Sequence, residues 1–392
     1  MPGSWKKSRY LQRNGENKMI LLLILAGGIL AQILAEKYYE KHWTKGLKVG
    51  IRFQKEPVRQ GEEGFLTETI ENEKRLFLPV LQAGFAVSRN LSFGQEENTS
   101  VSDQSYKRDV FSVMGRQRII RKVPFQALKR GYYEIQKTDL VTRGILLAGE
   151  QYETLPCSTY LYVYPKRISG EKWETLFRRI SGVYESRKRL LEDPFQFRGI
   201  REYTPDDPMN KINWKASART GSLMVNQLNS AVFGNVYILL DVEDETVWKY
   251  EEIHEEGIRL AAAAAEYFLS RGIETGLITN GRDCKEKSEL FLTGQSGRSQ
   301  GAKFLQCLSR IDLGQKSEKF SDCLKRKKEF LIAKESLCIL ITKNQYQELE
   351  EILAELGRKN HGSIYLTTLY PEMKLKIKRT QNMEVLNWEV RR

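Results

Sequence analysis

Histidine is nearly missing from this chain: only His42, His254 and His361 occur, far apart. So few imidazoles exclude a multi-histidine metal centre, and no Ser-His or Cys-His pair is suggested by position. Cysteine is sparse as well. Cys157, Cys284, Cys307, Cys323 and Cys338 are odd in number and lack the close pairs of a zinc site. Reduced, mostly buried thiols are expected, which favours a reducing compartment for the large C-terminal part. No glycine-rich phosphate-binding loop is found. Acidic residues are the minority, 50 against 63 Lys and Arg, for a net charge of +13. That excess suits an anionic partner such as a lipid surface, and a solvated lysine-rich exterior explains it equally well. The basic residues are spread along the chain, so no specific nucleic-acid partner is expected.

What is present begins with one long apolar run, Met19 to Ala35, "MILLLILAGGILAQILA", whose single polar member is Gln32. Lys6, Lys7, Arg9, Arg13 and Lys18 precede it, and Tyr38, Tyr39 and Trp43 follow in the manner of an interfacial aromatic belt. An uncleaved single-pass membrane anchor is the preferred assignment, with a cleaved signal peptide as the rival. Lys37, Lys41, Lys45 and Lys48 nearly balance the leading cations, so the positive-inside rule does not fix the orientation. The thiols favour the cytoplasmic side of a cell membrane for the soluble part, with the orientation left open.

With 392 residues and 41% hydrophobic content, the chain has room for two or three folding units. "LKVGIRFQ" alternates, with Leu47, Val49, Ile51 and Phe53 facing one way and Lys48, Arg52 and Gln54 the other. Similar short stretches recur up to Thr159–Tyr164, predicting a β-sandwich-like domain over 46–165. "KRGYYEI", Lys129 to Ile135, is better explained as a turn entering an aromatic strand than as a nucleic-acid patch. Residues 166–235 are expected to be a connector with an amphipathic helix over Glu171–Leu191. From 236 to 392 strands alternate with helices: "VYILL" ending on Asp241, a helix over Val247–Ser270, "ETGLITN", a helix near Ser299–Arg310, a charged linker, "SLCILIT", and a helix over Tyr346–Leu356 before "SIYLTTLY". That order predicts a doubly wound α/β domain with its ligand edge at Asp241. The chain thus divides into a basic tail (1–18), the membrane helix (19–35), the β-rich domain, the connector and the α/β domain.

Within the connector lies "FRGIREYTPDDPMNKINWKASARTGSLMVNQL", too dense in Arg, Asp, Pro and Trp to suit an ordinary strand or helix. Phe197, Gly199, Arg201, Tyr203, Pro205, Asp207, Ile212, Trp214, Ser217, Ala218 and Arg219 resemble the signature of the bacterial and archaeal "domain of unknown function 58" family. Asp206, Pro208 and Asn210 depart from the family's usual residues. The resemblance extends to an N-terminal membrane segment, a β-rich region with "RGYY" and a von Willebrand factor A-like α/β domain, although relatives commonly carry two membrane segments. It implies a non-enzymatic adaptor or assembly factor that works with a MoxR-type AAA+ ATPase in the cell envelope. In physical terms Asp206 and Asp207 can pair with Arg198, Arg201, Lys215 and Arg219, Trp214 offers an apolar anchor, and Pro205 and Pro208 stiffen the turn. A structural clamp between domains is favoured, with partner docking next.

Relatives of von Willebrand factor A type that hold Mg²⁺ use an Asp-x-Ser-x-Ser loop. Here the corresponding positions carry Asp241, Glu243 and Glu245, "KNQ" after Thr342 brings no carboxylate, and Thr279 and Asn280 follow a different strand. Three crowded carboxylates fit Mg²⁺ poorly, so no cofactor is expected and the acidic turn is assigned to the start of the following helix. The alternative is a metal-dependent hydrolase built on those three residues.

Overall fold

The computed structural model describes residues 4–391 except 95–103, 145–148, 205–206, 208, 210–211, 231–233 and 245–247; for residues 4–20, 104–105, 188–198 and 227–230 it describes the backbone alone. The chain is mixed α and β and forms two compact units, Met1–Lys129 with Tyr133–Leu161, and Arg130–Tyr132 with Tyr162–Arg392.

The first unit opens with helix α1 (Ser4–His42). Its Leu21–His42 portion has a mean hydropathy of 1.6 and is long and apolar enough to cross a membrane. The strands are β1 (Leu47–Phe53), β2 (Val58–Arg59), β3 (Glu63–Asn72), β4 (Leu78–Ser88), β5 (Leu91–Ser92), β6 (Gln104–Val113), β7 (Gln117–Ala127), β8 (Gly131–Arg143) and β9 (Glu150–Tyr164). They form two sheets, ordered β1-β3-β7-β5 and β2-β9-β8-β4-β6. The alternation read from the sequence sets which face each sheet buries. Leu66, Ile70, Val123 and Phe125 point inward from one sheet, and Leu81, Phe85 and Val113 from the other.

The end of α1 departs from the expected aromatic belt. Tyr38 is exposed, but Tyr39 and Trp43 are buried in one cluster with Leu47, Ile70, Leu81 and Val113. Tyr39 and Thr142 share a hydrogen bond of 3.0 Å, and because the Thr142 hydroxyl donates to the Val80 carbonyl, the phenol is the donor. A tyrosine with a buried hydroxyl partner is more stable there than in a headgroup layer.

The second unit contains α2 (Glu171–Leu191), β10 (Glu192–Glu202), α3 (Trp214–Thr220), β11 (Met224–Ser230), β12 (Val236–Leu240), α4 (Glu251–Ser270), β13 (Thr275–Asp283), β14 (Glu289–Gln295), α5 (Arg298–Arg310), β15 (Ile311–Asp312), α6 (Phe320–Ala333), β16 (Leu337–Thr342), α7 (Gln347–Lys359), β17 (Ser363–Leu369) and β18 (Met383–Glu389). The main sheet runs β14-β13-β12-β16-β17-β18, with β15 beside β13. Strands β13, β12, β16, β17 and β18 are parallel, and β14 is antiparallel. Every residue of β12 is buried. Val236, Ile238 and Leu240 pack with α2, α4 and α5, while Tyr237 and Leu239 pack with α6 and α7, so helices cover both faces.

Three expectations change here. The segment expected to be a charged linker contains α6, because Phe320, Cys323, Leu324 and Leu331 make one buried stripe under a run of lysines. The helix expected in the connector belongs to the α/β core, through Leu176, Phe177, Ile180 and Tyr184. Parts of the dense signature segment are regular. Strands β10 and β11 pair as an antiparallel ribbon, with α3 between them.

Candidate functional site

Strand β12 is the point where the sheet's winding changes direction. The chain leaves it through α4 to β13 on one side, and β16 later enters on the other. Helices then leave toward opposite faces, and in open sheets of this kind the carboxyl ends of the strands at such a point are the usual ligand position. Asp241 follows β12 there, is 3% exposed, and its N–H still donates to the Ile341 carbonyl of β16.

Its carboxylate is enclosed by hydrogen-bond donors. Oδ1 accepts from Asn280 Nδ2 at 3.0 Å and from the Glu243 backbone N–H at 2.8 Å. Oδ2 accepts from Thr342 Oγ1 at 2.7 Å and Asn344 Nδ2 at 2.8 Å. The Thr342 hydroxyl accepts in turn from the Asn344 backbone N–H, and Asn280 Oδ1 accepts from Val242 N–H. Four donors on two oxygens satisfy a carboxylate completely. Asn280 belongs to a different strand from Asp241, but β12 and β13 are neighbours, so the two side chains meet.

The adjoining acidic side chains are also occupied. Glu243 Oε2 accepts from the Phe320 N–H in the first turn of α6 at 2.9 Å. Asp244 Oδ1 lies 2.9 Å from His254 Nε2 and 3.3 Å from Lys343 Nζ. Burial pushes the Asp244 carboxyl up, but His254 and Lys343 outweigh that and hold it below its ordinary value. Glu245 lies outside the described residues. Mg²⁺ needs oxygen ligands in near-octahedral array. Here Asp241 and Asp244 face amide, hydroxyl, imidazole and ammonium groups, and among the described residues no group of three His, Cys, Asp or Glu side chains can hold a metal. The residues present do not fit the ion, and the site is a neutral-donor hub joining β12, β13 and β16.

The signature segment gives a different kind of surface. Arg201 Nη1 and Nη2 contact Asp207 Oδ2 and Oδ1 at 2.6 and 2.5 Å, and Thr204 donates to Oδ2 through its N–H and hydroxyl at 2.9 and 2.8 Å. The guanidinium first, then the Thr204 N–H, hold the Asp207 carboxyl far below the usual carboxylate range. Asn213 caps α3 by accepting from Ala216 N–H at 2.9 Å, and Gly221 closes it with φ of 74°. Ser217 ties the helix to β11: its hydroxyl donates to the Asn213 carbonyl and accepts from Met224 N–H. Ile212 pairs with Val225, and both are buried.

Gly199, Arg201, Tyr203, Asp207, Ile212, Trp214, Ser217, Ala218 and Arg219 therefore fall on one short arm. Phe197 lies in β10, paired with Leu228, and its side chain is outside the described residues, as are Pro205, Asp206, Pro208 and Asn210. Of the expected charge network the described residues include the Arg201–Asp207 pair; Asp206 and the Arg198 side chain lie outside the described residues. The expected apolar anchor is turned outward. No residue of α3 is buried, and Trp214 is 66% exposed.

No family model matches the chain, and no curated protein matches it. Among solved structures it is similar to the CARDB domain of the PF1109 protein from Pyrococcus furiosus, in complex with di-metal ions (10% identity, 29% of this chain and 90% of that one, TM-score 0.18). Domains D2 and D3 of the major pilin SpaD from Corynebacterium diphtheriae match at 7% identity over 27% of this chain and 49% of that one, with a TM-score of 0.21. An ASH/PapD-like domain of human CEP192 matches at 15% identity, 30% and 86% coverage and a TM-score of 0.18.

Proposed function

We infer that this protein is a membrane-anchored, non-enzymatic interaction or assembly factor of the "domain of unknown function 58" type, with a von Willebrand factor A-like α/β unit. Its partner is a MoxR-type AAA+ ATPase of the cell envelope, and the β10–α3–β11 arm is the docking element. The observation that carries this reading is Trp214: a large aromatic side chain, mostly exposed, on a helix that buries nothing. The arm beneath it is stiffened by the Arg201–Asp207 pair and the Asn213 cap. Rigid exposed aromatics of this kind dominate the energetics of protein interfaces. Attachment through α1 is supported by its apolar Leu21–His42 segment. The four donors on the Asp241 oxygens support a structural role for that carboxylate.

The test is capture of the purified ATPase by the detergent-solubilised full chain. Trp214→Ala should weaken capture by about 2 kcal/mol or more, roughly thirty-fold. Equal recovery by wild type and variant, or recovery by neither, defeats the reading.

A further inference from the structure

The outward face of the β1-β3-β7 sheet is built in cross-strand rows that the register defines. Lys48, Glu71 and Arg118 form one row, Gly50, Thr69 and Ile120 the next, and Arg52, Thr67 and Lys122 the third. Phe65 and Pro124 follow. Gly50 leaves the middle of this face open, since a Cβ there would meet nothing within 4 Å. The result is a groove of about 880 Å³ whose lining includes Arg52, Phe65, Thr67, Arg118 and Ile120.

Two features of the groove point to one class of ligand. Ile120 and Phe65 are 59% and 38% exposed and form an apolar floor. Beside that floor, Arg52 and Lys122 flank the Thr67 hydroxyl on neighbouring strands. With strands about 4.8 Å apart, their Cα atoms stand roughly 10 Å from each other on either side of Thr67; Arg52 lines the groove, and Lys122 stands in the same row beside the lining. Lys122 Nζ lies 4.9 Å from the centre of the Phe65 ring, at the junction of charged and apolar surface. Among the described residues, Arg52 and Arg118 form no ion pair; Lys48 is held by Glu73, and Glu71 and Glu56 are the carboxylates in the lining.

A cationic clamp next to an apolar floor matches an amphiphile with an anionic head. The source is on the same unit: β1 begins five residues after the apolar helix ends at His42. We propose that this groove binds one anionic phospholipid from the adjoining bilayer, with its phosphate between Arg52 and Lys122 over Thr67 and its acyl chains across Ile120 and Phe65. This inference rests on the anchored reading of α1. An acidic protein segment would use the cations but leave the apolar floor uncovered.

Native mass spectrometry of the detergent-solubilised full chain, titrated with phosphatidylglycerol or phosphatidylcholine, tests it. One phosphatidylglycerol should be retained in preference to phosphatidylcholine, and R52Q/K122Q should weaken retention at least about ten-fold, since each cation near an anionic lipid contributes about five-fold. Ile120→Ser, at an exposed position, should weaken retention as well while adding no charge beside the clamp. Equal retention of both lipids, or unchanged retention by both variants, overturns the proposal. So does preferential binding of a poly-glutamate peptide that displaces the lipid. Alkaline carbonate extraction of the same protein from membranes reads the anchor separately, so the two failures are distinguishable.

Discussion

Asn344 Nδ2 donates to Asp241 Oδ2 at 2.8 Å, so a neutral amide from the loop after β16 holds the buried carboxylate at the end of β12. Asn344→Asp would set two buried carboxylates against each other. We expect it to lower stability by about 2–4 kcal/mol. Asn344→Ala should cost less, about 1–3 kcal/mol, by leaving Oδ2 with Thr342 alone. Chemical denaturation of the three proteins measures both.

The Arg201–Asp207 pair gives the arm an acid-resistant clasp. Because the Asp207 carboxyl is held below its ordinary value, its contribution is fully present above the usual carboxylate range and is lost only as pH falls through the lowered value. The rate of proteolytic cleavage between Tyr203 and Leu223 should therefore stay flat from pH 8 down to 5 and rise only in strong acid. Asp207→Asn should raise that rate at every pH while leaving the main unfolding transition in place.

Glu68 should make the β unit weaker in base. Its side chain is buried beside Asp109, Lys107 and Arg121, with 3% exposure, and its acid is pushed from 4.5 up to about 8 by burial and by the Asp109 carboxyl. The folded state keeps a proton that the unfolded chain releases. The stabilisation is complete below pH 4.5 and is lost progressively as pH rises to about 8. The slope is at most about 1.4 kcal/mol per pH unit. Glu68→Gln should flatten it and raise the midpoint at pH 8, which thermal unfolding across pH 5–8.5 will detect.

Arg130 is a buried fork in the second unit, donating to Glu255 Oε2 at 2.7 Å and to the carbonyls of Leu308 and Ile311 at 2.9 Å each. Arg130→Lys keeps the charge but cannot reach all three acceptors. A loss of about 1–3 kcal/mol is expected by denaturant titration.

Much of the fold could be read locally. Leu47, Ile51 and Phe53 alternate as a half-buried strand must, and the unbroken apolar run of β12 announces a strand covered on both faces. Strand β18 and helix α6 escaped because their buried residues, such as Met383, Leu386 and Trp388 or Phe320 and Leu324, are diluted among charged and polar neighbours. The hub was legible only in part. Asp241 stood out at the end of an apolar strand, but its partners lie in loops that only the sheet order brings together. Exposure was the hardest quantity to infer. A tryptophan beside charged residues reads as a buried anchor, but Trp214 is mostly exposed among the described residues, whereas Tyr39 and Trp43 read as surface aromatics and are core.

The burial of Tyr39 and Trp43 has a mechanical meaning. A helix joined to a domain by a slack tether lets that domain swivel, but here the last turn of α1 is wedged into the β unit and latched to Thr142. Rotation of the helix about its long axis must carry the β unit with it. The joint transmits torque as a keyed shaft does, and whatever sets the azimuth of α1 also decides which way the outward face of β1, β3 and β7 looks.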